Sequence, residues 1–238
     1  MPAKASPAPT LRILISGGTY DTVWLRELAR LTGKPRPRIV YLPTAAADAD
    51  EAIVRFYGRC APLNVEPVVQ KMFIDSLTQT QSFAEVLLGA DAIVASGGNT
   101  LNQQAIWRAQ GVDALLRQAW RQGTVLGGAS AGGLCWFTSG STDSRPQALS
   151  IVQGLGLLPG SHCPHYDSEG GRRPQYQALV QAGELPGGYA CDDDAGLLFE
   201  GRRVARVLRT REGAGVYRVS KGAKAVREQA LPAEWLRG

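Results

Sequence analysis

The chain has 238 residues and a formal net charge of +5, with 44% apolar and 20% charged residues, a composition that excludes an intrinsically disordered protein. Glycine is enriched at 28 residues, whereas only two histidines occur, so a metal site built from several histidines is excluded. No apolar run reaches the roughly 18 residues that a transmembrane helix needs, and residues 1–10 lack the apolar core of a signal peptide.

Strand-like and helix-like patterns alternate through the first 130 residues. Apolar, β-type runs predict strands at 11–16, 38–43, 65–70, 91–96 and 124–129. The segments between them predict helices at 22–31, 48–60, 81–88 and 100–121. This alternation is typical of a parallel sheet that is covered by helices on both faces and binds ligands beyond the carboxyl ends of its strands.

The pattern changes after residue 145. Short strands and turns follow, with a helix predicted near 173–182 and antiparallel hairpins over 202–227, in which the Gly-Ala-Gly sequence at 213–215 forms one turn. No repeat and no long linker divides the chain. We therefore predict a flexible tail at 1–10 and a single α/β domain at 11–238.

A glycine-rich turn follows the fifth predicted strand. Residues 128–132, Gly-Ala-Ser-Ala-Gly, fit the GxSxG pattern, in which a serine lies on a tight turn between a strand and a helix with its hydroxyl exposed. Small neighbours let the backbone pass close to other segments, and nearby N–H groups favour a developing oxyanion. Ser130 is the predicted nucleophile, and a turn that binds phosphate or only packs tightly is the alternative.

The fourth predicted strand ends in a comparable turn, Ser-Gly-Gly-Asn-Thr at 96–100. Neighbouring parallel strands end in the same crevice, so the N–H group of Gly98 is a candidate second donor to an oxyanion. The same turn suits Asn99 as the N-cap of the following helix, and the two roles are compatible.

Both histidines lie in the segment His-Cys-Pro-His-Tyr-Asp at 162–167. A serine nucleophile needs a base within hydrogen-bond reach, so His162 or His165 is predicted to be that base. The spacing of this segment disfavours a metal site. The carboxylate that orients the base stays open at this point. The candidates are Asp143, Asp167, Glu169 and the run Asp192–Asp194.

Three motifs in this order resemble the peptidase E (aspartyl dipeptidase) family of serine peptidases, which also includes the cyanophycinases. They are SGGNT at 96–100, GASAGG at 128–133 and PHYD at 164–167. The resemblance covers roughly residues 11–200. It implies a three-layer α/β/α fold similar to class I glutamine amidotransferases, and hydrolysis of short peptides that begin with aspartate, without a metal or other cofactor.

The resemblance also implies roles for individual residues. Ser130 matches the nucleophile, and His165, which follows Pro164, matches the base. Asp143 matches the acidic triad member across a shortened interval, with Asp192 as the fallback. The remaining implied residues are Gly98 and Ala131 as oxyanion donors and Asn99, Thr100 and Arg173 as substrate contacts. Tyr176 departs from the pattern, because it stands where the family tends to carry a second arginine.

Two alternatives concern the same fold. One is a cyanophycinase-like hydrolase of β-aspartyl-arginine, and the other is a ligand-binding protein in which the Ser130 turn is catalytically inactive. Six arginines between 202 and 218 would suit a nucleic-acid binder, but the alternation of apolar and basic residues at 203–210 is more typical of an exposed hairpin.

The expected partner is therefore a small peptide, with neither nucleic acid nor a membrane, and a homodimer is left open. The four cysteines are widely spaced and form no CxxC pair, which favours a reduced, cytoplasmic protein over a disulfide scaffold.

Overall fold

A computed structural model describes residues 9–73, 79–146 and 148–237. In this part of the chain the helices are α1 (Thr22–Leu31), α2 (Asp50–Cys60), α3 (Phe83–Leu88), α4 (Thr100–Ala109), α5 (Val112–Arg121), α6 (Ala131–Leu134) and α7 (Arg172–Ala182). The strands are β1 (Arg12–Ser16), β2 (Arg38–Leu42), β3 (Glu66–Val69), β4 (Ala92–Ala95), β5 (Val125–Ala129), β6 (Phe137–Arg145), β7 (Ala148–Gln153), β8 (Leu158–Cys163), β9 (Gly188–Cys191), β10 (Ala195–Glu200), β11 (Arg203–Arg209), β12 (Val216–Ser220), β13 (Arg227–Leu231) and β14 (Glu234–Trp235). None of the helices is long and apolar enough to cross a membrane.

The larger sheet contains eight strands in the order β14-β11-β10-β1-β5-β4-β2-β3. Strands β1 to β5 are mutually parallel, which confirms the parallel sheet predicted from the first 130 residues. Strand β10 pairs antiparallel with β1, and β11 pairs antiparallel with β10. The carboxyl ends of β1, β4 and β5 therefore meet at one edge, where residues 17–18, 96–98 and 130 emerge.

Alternate residues of β1 show that this sheet is covered on both faces. Ile13 and Ile15 pack into one apolar cluster with side chains of α3, α4 and α5, whereas Leu14 packs into another with α1 and α2. All three are fully buried, as expected for a central parallel strand. This is the predicted layer arrangement.

A second sheet of six strands, in the order β13-β12-β9-β8-β6-β7, was not among the predictions. It packs through Phe137, Leu158 and Val216 against the cluster that contains Ile13. Strand β8 pairs in parallel with both β6 and β9. Such pairings join segments that are far apart in the sequence, so no local sequence pattern predicts them.

The prediction that residues 213–215 form a hairpin turn is wrong. The antiparallel hairpins are β10–β11 and β12–β13, and the Gly-Ala-Gly segment instead connects β11 in the larger sheet to β12 in the second one. Asp192 holds this connection, because its Oδ2 accepts a hydrogen bond from Gly215 N at 2.9 Å and its own N–H donates to Gly215 O at 3.0 Å. Of the predicted tail at 1–10, residues 1–8 lie outside the described part of the chain.

Candidate active site

Ser130 occupies the sharp turn between β5 and α6. Its backbone has φ 54° and ψ −122°, a conformation that non-glycine residues rarely adopt and that costs roughly 1–3 kcal/mol. Hydrogen bonds hold the turn on both sides: Ser130 N donates to Ser16 O at 3.2 Å, and Leu134 N donates to Ser130 O at 2.8 Å. Gly132 has to be glycine, because a Cβ there would overlap the carbonyl oxygen of Ala95.

His165 lies two residues beyond β8 and contacts the serine directly. Its Nε2 is 2.8 Å from Ser130 Oγ, a hydrogen-bond distance at which the hydroxyl can donate its proton to the ring. The residue has φ 52°, and its N–H donates to Gly17 O at 3.3 Å, which ties it to the end of β1. The structure therefore brings Ser130 and His165 together as predicted from the motifs.

The other ring nitrogen of His165 contacts Asp193. The distance from His165 Nδ1 to Asp193 Oδ1 is 2.7 Å, so the N–H group on Nδ1 donates to the carboxylate and leaves the Nε2 lone pair facing Ser130. Asp193 lies in the short loop between β9 and β10. Gly18 makes room for it, since a Cβ on Gly18 would overlap the Asp193 carboxylate.

The prediction that Asp143 orients the base is wrong, because the structure places Asp143 away from His165. Asp143 lies on β6 with its side chain 65% exposed, and its carboxylate is 3.7 Å from Arg172 Nη2 rather than at His165. The fallback Asp192 does not contact His165 either, because its carboxylate faces Gly215 and Tyr217. Burial raises the pKa of Asp192, and the hydrogen bond from Gly215 opposes this shift.

The loop that carries Asp193 is fastened by Arg211. The Nη2 group of Arg211 donates to Asp193 O at 3.0 Å and to Asp167 Oδ2 at 2.7 Å, while Nε donates to Asp194 Oδ2 at 3.1 Å. Asp167 in turn accepts a hydrogen bond from Asp193 N at 2.8 Å. Two of the acidic candidates, Asp167 and Asp194, thus hold the loop and do not contact the base.

His162 lies in the core and away from the nucleophile. It is fully buried, its ring stacks on Phe137 with centroids 5.0 Å apart, and its Nδ1 donates to Tyr189 O at 3.1 Å. Burial lowers the pKa of His162 to about 3, so the ring is neutral at physiological pH. This leaves His165 as the histidine that contacts a hydroxyl nucleophile.

The predicted oxyanion donors, Gly98 and Ala131, belong to the turns after β4 and β5. Gly98 has φ 129°, and a Cβ on it would overlap the carbonyl oxygen of Ala45, so this close approach requires glycine. Gly97, the neighbouring residue, passes close to the nucleophile: a Cβ built on it would lie 3.5 Å from Ser130 Cβ. The two turns therefore meet at Ser130.

The three predicted substrate contacts have other partners in the described structure. Asn99 caps α4, because its side chain accepts from Asn102 N at 2.9 Å, which confirms the capping hypothesis, and Thr100 is buried. Arg173 forms an ion pair with Glu228, and its guanidinium lies 5.1 Å from the ring centroids of both Tyr166 and Tyr217. None of the three lines the cavity beside Ser130.

That cavity has a volume of about 330 Å³ and lies against the ends of β1, β2, β4 and β5. Its wall includes Gly97 and Ala129 next to the nucleophile. Its charged lining residues are Glu51, Arg55 and Arg59, which share α2 at four-residue spacing. These three residues were not predicted from the sequence, although their spacing on the helix that follows β2 places them on one face, at the end of the sheet where ligands bind.

The cysteines are not alternative nucleophiles. All four, namely Cys60, Cys135, Cys163 and Cys191, are free and buried, and burial raises the pKa of each thiol, that of Cys60 to about 11. Within the described residues, no group of three or more His, Cys, Asp or Glu side chains is arranged to hold a metal ion.

Comparisons with known proteins agree on a peptidase. The family profile described as Peptidase family S51 matches residues 12–207. A relative from Bacillus subtilis (strain 168), the uncharacterized peptidase YgaJ, is 39% identical over 203 residues, which are 85% of this chain and 86% of YgaJ.

Two solved structures share the fold. A peptidase from an acI-B1 actinobacterium superposes with a TM-score of 0.72 at 16% identity, over 95% of this chain and 96% of the other. A candidate Peptidase E protein from Listeria monocytogenes EGD-e superposes with a TM-score of 0.64 at 18% identity, over 85% of this chain and 100% of the other.

Proposed function

Because this chain belongs to peptidase family S51, the peptidase E family indicated by its motifs, we propose that it is a serine peptidase that cleaves dipeptides with an N-terminal aspartate. The observation that carries the serine mechanism is the continuous chain of hydrogen bonds from Ser130 through His165 to Asp193, at 2.8 and 2.7 Å. A serine hydroxyl is a weak nucleophile by itself, and this arrangement supplies the base that activates it.

In the proposed reaction, Ser130 Oγ attacks the carbonyl carbon that follows the N-terminal residue, and His165 Nε2 removes the hydroxyl proton. Asp193 keeps the proton of the neutral ring on Nδ1 and stabilises the imidazolium that forms. The developing oxyanion accepts hydrogen bonds from the N–H groups of Gly98 and Ala131. His165 then donates its proton to the leaving amine, and water hydrolyses the acyl-enzyme by the same sequence.

The dipeptide specificity rests on the family and on the shape of the site. The peptidase E resemblance implies an N-terminal aspartate, and the described residues that line the cavity next to the Ser130 turn include two arginines and one glutamate. A positively charged cavity of this kind suits an acidic substrate residue.

A panel of dipeptides tests this function. We expect hydrolysis of Asp-Leu to exceed that of Asn-Leu, Ala-Leu and β-aspartyl-arginine, and we expect Ser130→Ala to lower kcat by about 10⁶-fold, because triad members act as a unit. Ser220→Ala, at a serine on β12 outside the site, is the matched control. Asp-Leu hydrolysis that survives in Ser130→Ala would contradict the serine mechanism. A preference for β-aspartyl-arginine would instead support the cyanophycinase-like alternative.

A further inference from the structure

The cavity beside Ser130 holds two cations that the proposed triad does not use. Arg55 and Arg59 lie one helical turn apart on α2 and both line the cavity, together with Tyr20 and Tyr41. Among the described residues that line the cavity, they are the basic ones. Gly97 and Ala129, which adjoin Ser130, line the same space, so the cavity extends to the turn that carries the nucleophile.

Neither arginine has an acidic partner among the described residues, in contrast to the other arginines near the site. Arg172, Arg173 and Arg211 all form ion pairs with aspartate or glutamate. Arg59 donates one hydrogen bond, from Nη1 to Tyr20 O at 3.1 Å, which holds its guanidinium at the cavity wall. A guanidinium has five N–H donors, so most of those on Arg59 remain available to a ligand.

Tyr41 lines the same cavity as the two arginines. Its ring stacks on Phe56 with centroids 4.6 Å apart, and its hydroxyl neighbours the Ser96 side chain. Burial raises the pKa of Tyr41, while the positive charges of Arg59 and Arg55 both oppose that shift. The two arginines and Tyr41 thus line one cavity, and both positive charges lower the pKa of the Tyr41 hydroxyl.

The charge balance of the cavity favours an anion. Like charges at four-residue spacing on a helix repel each other, and Glu51, one turn earlier on the same helix, is the acidic residue among the described residues that line the cavity. Among the described residues, two arginines and one glutamate thus line a half-enclosed space. A planar guanidinium matches the two oxygens of a carboxylate better than any other side chain does.

We propose that Arg59 and Arg55 bind the side-chain carboxylate of the N-terminal residue of the substrate, and that Arg173 does not. This inference rests on the proposed function, which requires a cation for the aspartate side chain. Arg173 is already paired with Glu228 and is not among the lining residues of the cavity, whereas Arg59 and Arg55 line it together with Gly97 and Ala129, the neighbours of the nucleophile. The arginines on α2 are thus specificity-determining residues.

Isosteric substrates test this assignment. Asp-Leu and Asn-Leu differ only in the side-chain charge, so we expect Arg59→Gln to lower kcat/KM for Asp-Leu by about 10- to 100-fold while that for Asn-Leu stays nearly unchanged. Arg55→Gln should act in the same direction, and the double variant should abolish the preference for Asp-Leu. Arg26→Gln, an exposed arginine on α1 away from the cavity, is the matched control. An unchanged ratio of kcat/KM for the two substrates in the double variant would overturn the proposal.

A second experiment identifies which carboxylate of the substrate the two arginines bind. Asp-Leu-amide lacks the C-terminal carboxylate, and we expect Arg59→Gln to reduce its cleavage by the same factor as that of Asp-Leu. A reduction confined to Asp-Leu would mean that the arginines bind the C-terminal carboxylate, and it would overturn the proposal.

A binding measurement separates this inference from the proposed function. In calorimetry, the Ser130→Ala protein is expected to bind L-aspartate at least tenfold more tightly than L-asparagine, and Arg59→Gln in that background is expected to remove the difference. If this pattern appears and wild-type protein does not cleave Asp-Leu, the function fails and the carboxylate site stands. If Asp-Leu is cleaved and aspartate binding is independent of Arg59, the carboxylate site fails and the function stands.

Discussion

At the scale of single residues, the two reacting side chains are held in uncommon backbone conformations. Ser130 and His165 have φ values of 54° and 52°. Local preference does not explain either value, because each costs free energy that the surrounding turn has to offset. The contacts of Ser130 with Ser16 and of His165 with Gly17, both at the end of β1, show how the tertiary structure holds them.

Replacing Asp193 by asparagine tests the orienting role at this scale. We expect Asp193→Asn to lower kcat for Asp-Leu by about 10⁴-fold, because an amide no longer keeps the ring proton of His165 on Nδ1. Asp143→Asn is the matched control, since Asp143 is exposed beside Arg172, and it is expected to leave kcat nearly unchanged. A loss of activity in Asp143→Asn that equals the loss in Asp193→Asn would contradict the assignment.

Ser130, His165 and Asp193 were not equally predictable, because the sequence offers different numbers of candidate residues for each role. Ser130 lies in a recognisable strand–turn–helix motif, and the chain offers only two histidines, so both reacting residues could be proposed from the sequence. Asp193 is one of three consecutive aspartates, and only the course of the loop between β9 and β10 decides which carboxylate faces His165. The family resemblance instead implied Asp143, which the fold places at Arg172.

At the scale of elements, the end of strand β8 places the two histidines in different surroundings. His162 lies inside the strand and points into the core, whereas His165 lies beyond its end and reaches Ser130. A separation of three residues is therefore enough to place one ring in a buried apolar layer and the other at the surface of the site.

The buried ring of His162 makes the stability of the fold depend on pH. Its pKa is about 3 in the folded chain, against an ordinary value near 6.5 in the unfolded chain, so the unfolded state binds more protons between these values. Stability should therefore fall as the pH drops below about 6.5, by about 2 kcal/mol at pH 5 relative to pH 7.5. Chemical denaturation at the two pH values measures this loss.

His162→Phe keeps the stacking on Phe137 but has no titrating ring, so its stability should change less between the two pH values. The variant is expected to be less stable than wild type at pH 7.5, because the hydrogen bond to Tyr189 O is lost. The same pH dependence in the variant and in wild type would contradict this role of His162.

Elements with strong local patterns were predictable, and those defined by distant pairing were not. The helix predicted at 22–31 is α1, and the region 100–121 contains α4 and α5, which are separated at Gly111 with φ 70°. The second sheet could not be predicted, because β8 and β9 pair across the intervening α7 and carry no regular alternation of apolar residues.

At the scale of the whole molecule, the site forms only when the two sheets are assembled. Ser130 and Gly98 follow strands of the larger sheet, His165 follows β8 of the second sheet, and Asp193 lies where the chain crosses from β9 to β10. Activity should therefore report on the packing between the sheets as well as on the side chains themselves. The α/β fold and the family were predictable because three short motifs and five strands agree on one parallel-sheet arrangement.

Covalent labelling tests whether Ser130 is a nucleophile that His165 activates. A fluorophosphonate reagent, followed by mass spectrometry of the intact chain and its peptides, is expected to add one label, at Ser130. His165→Ala is expected to slow labelling strongly, because the base that removes the hydroxyl proton is lost. Labelling elsewhere with Ser130 unmodified, or labelling of Ser130 at the same rate in His165→Ala, would contradict the activation of Ser130 by His165.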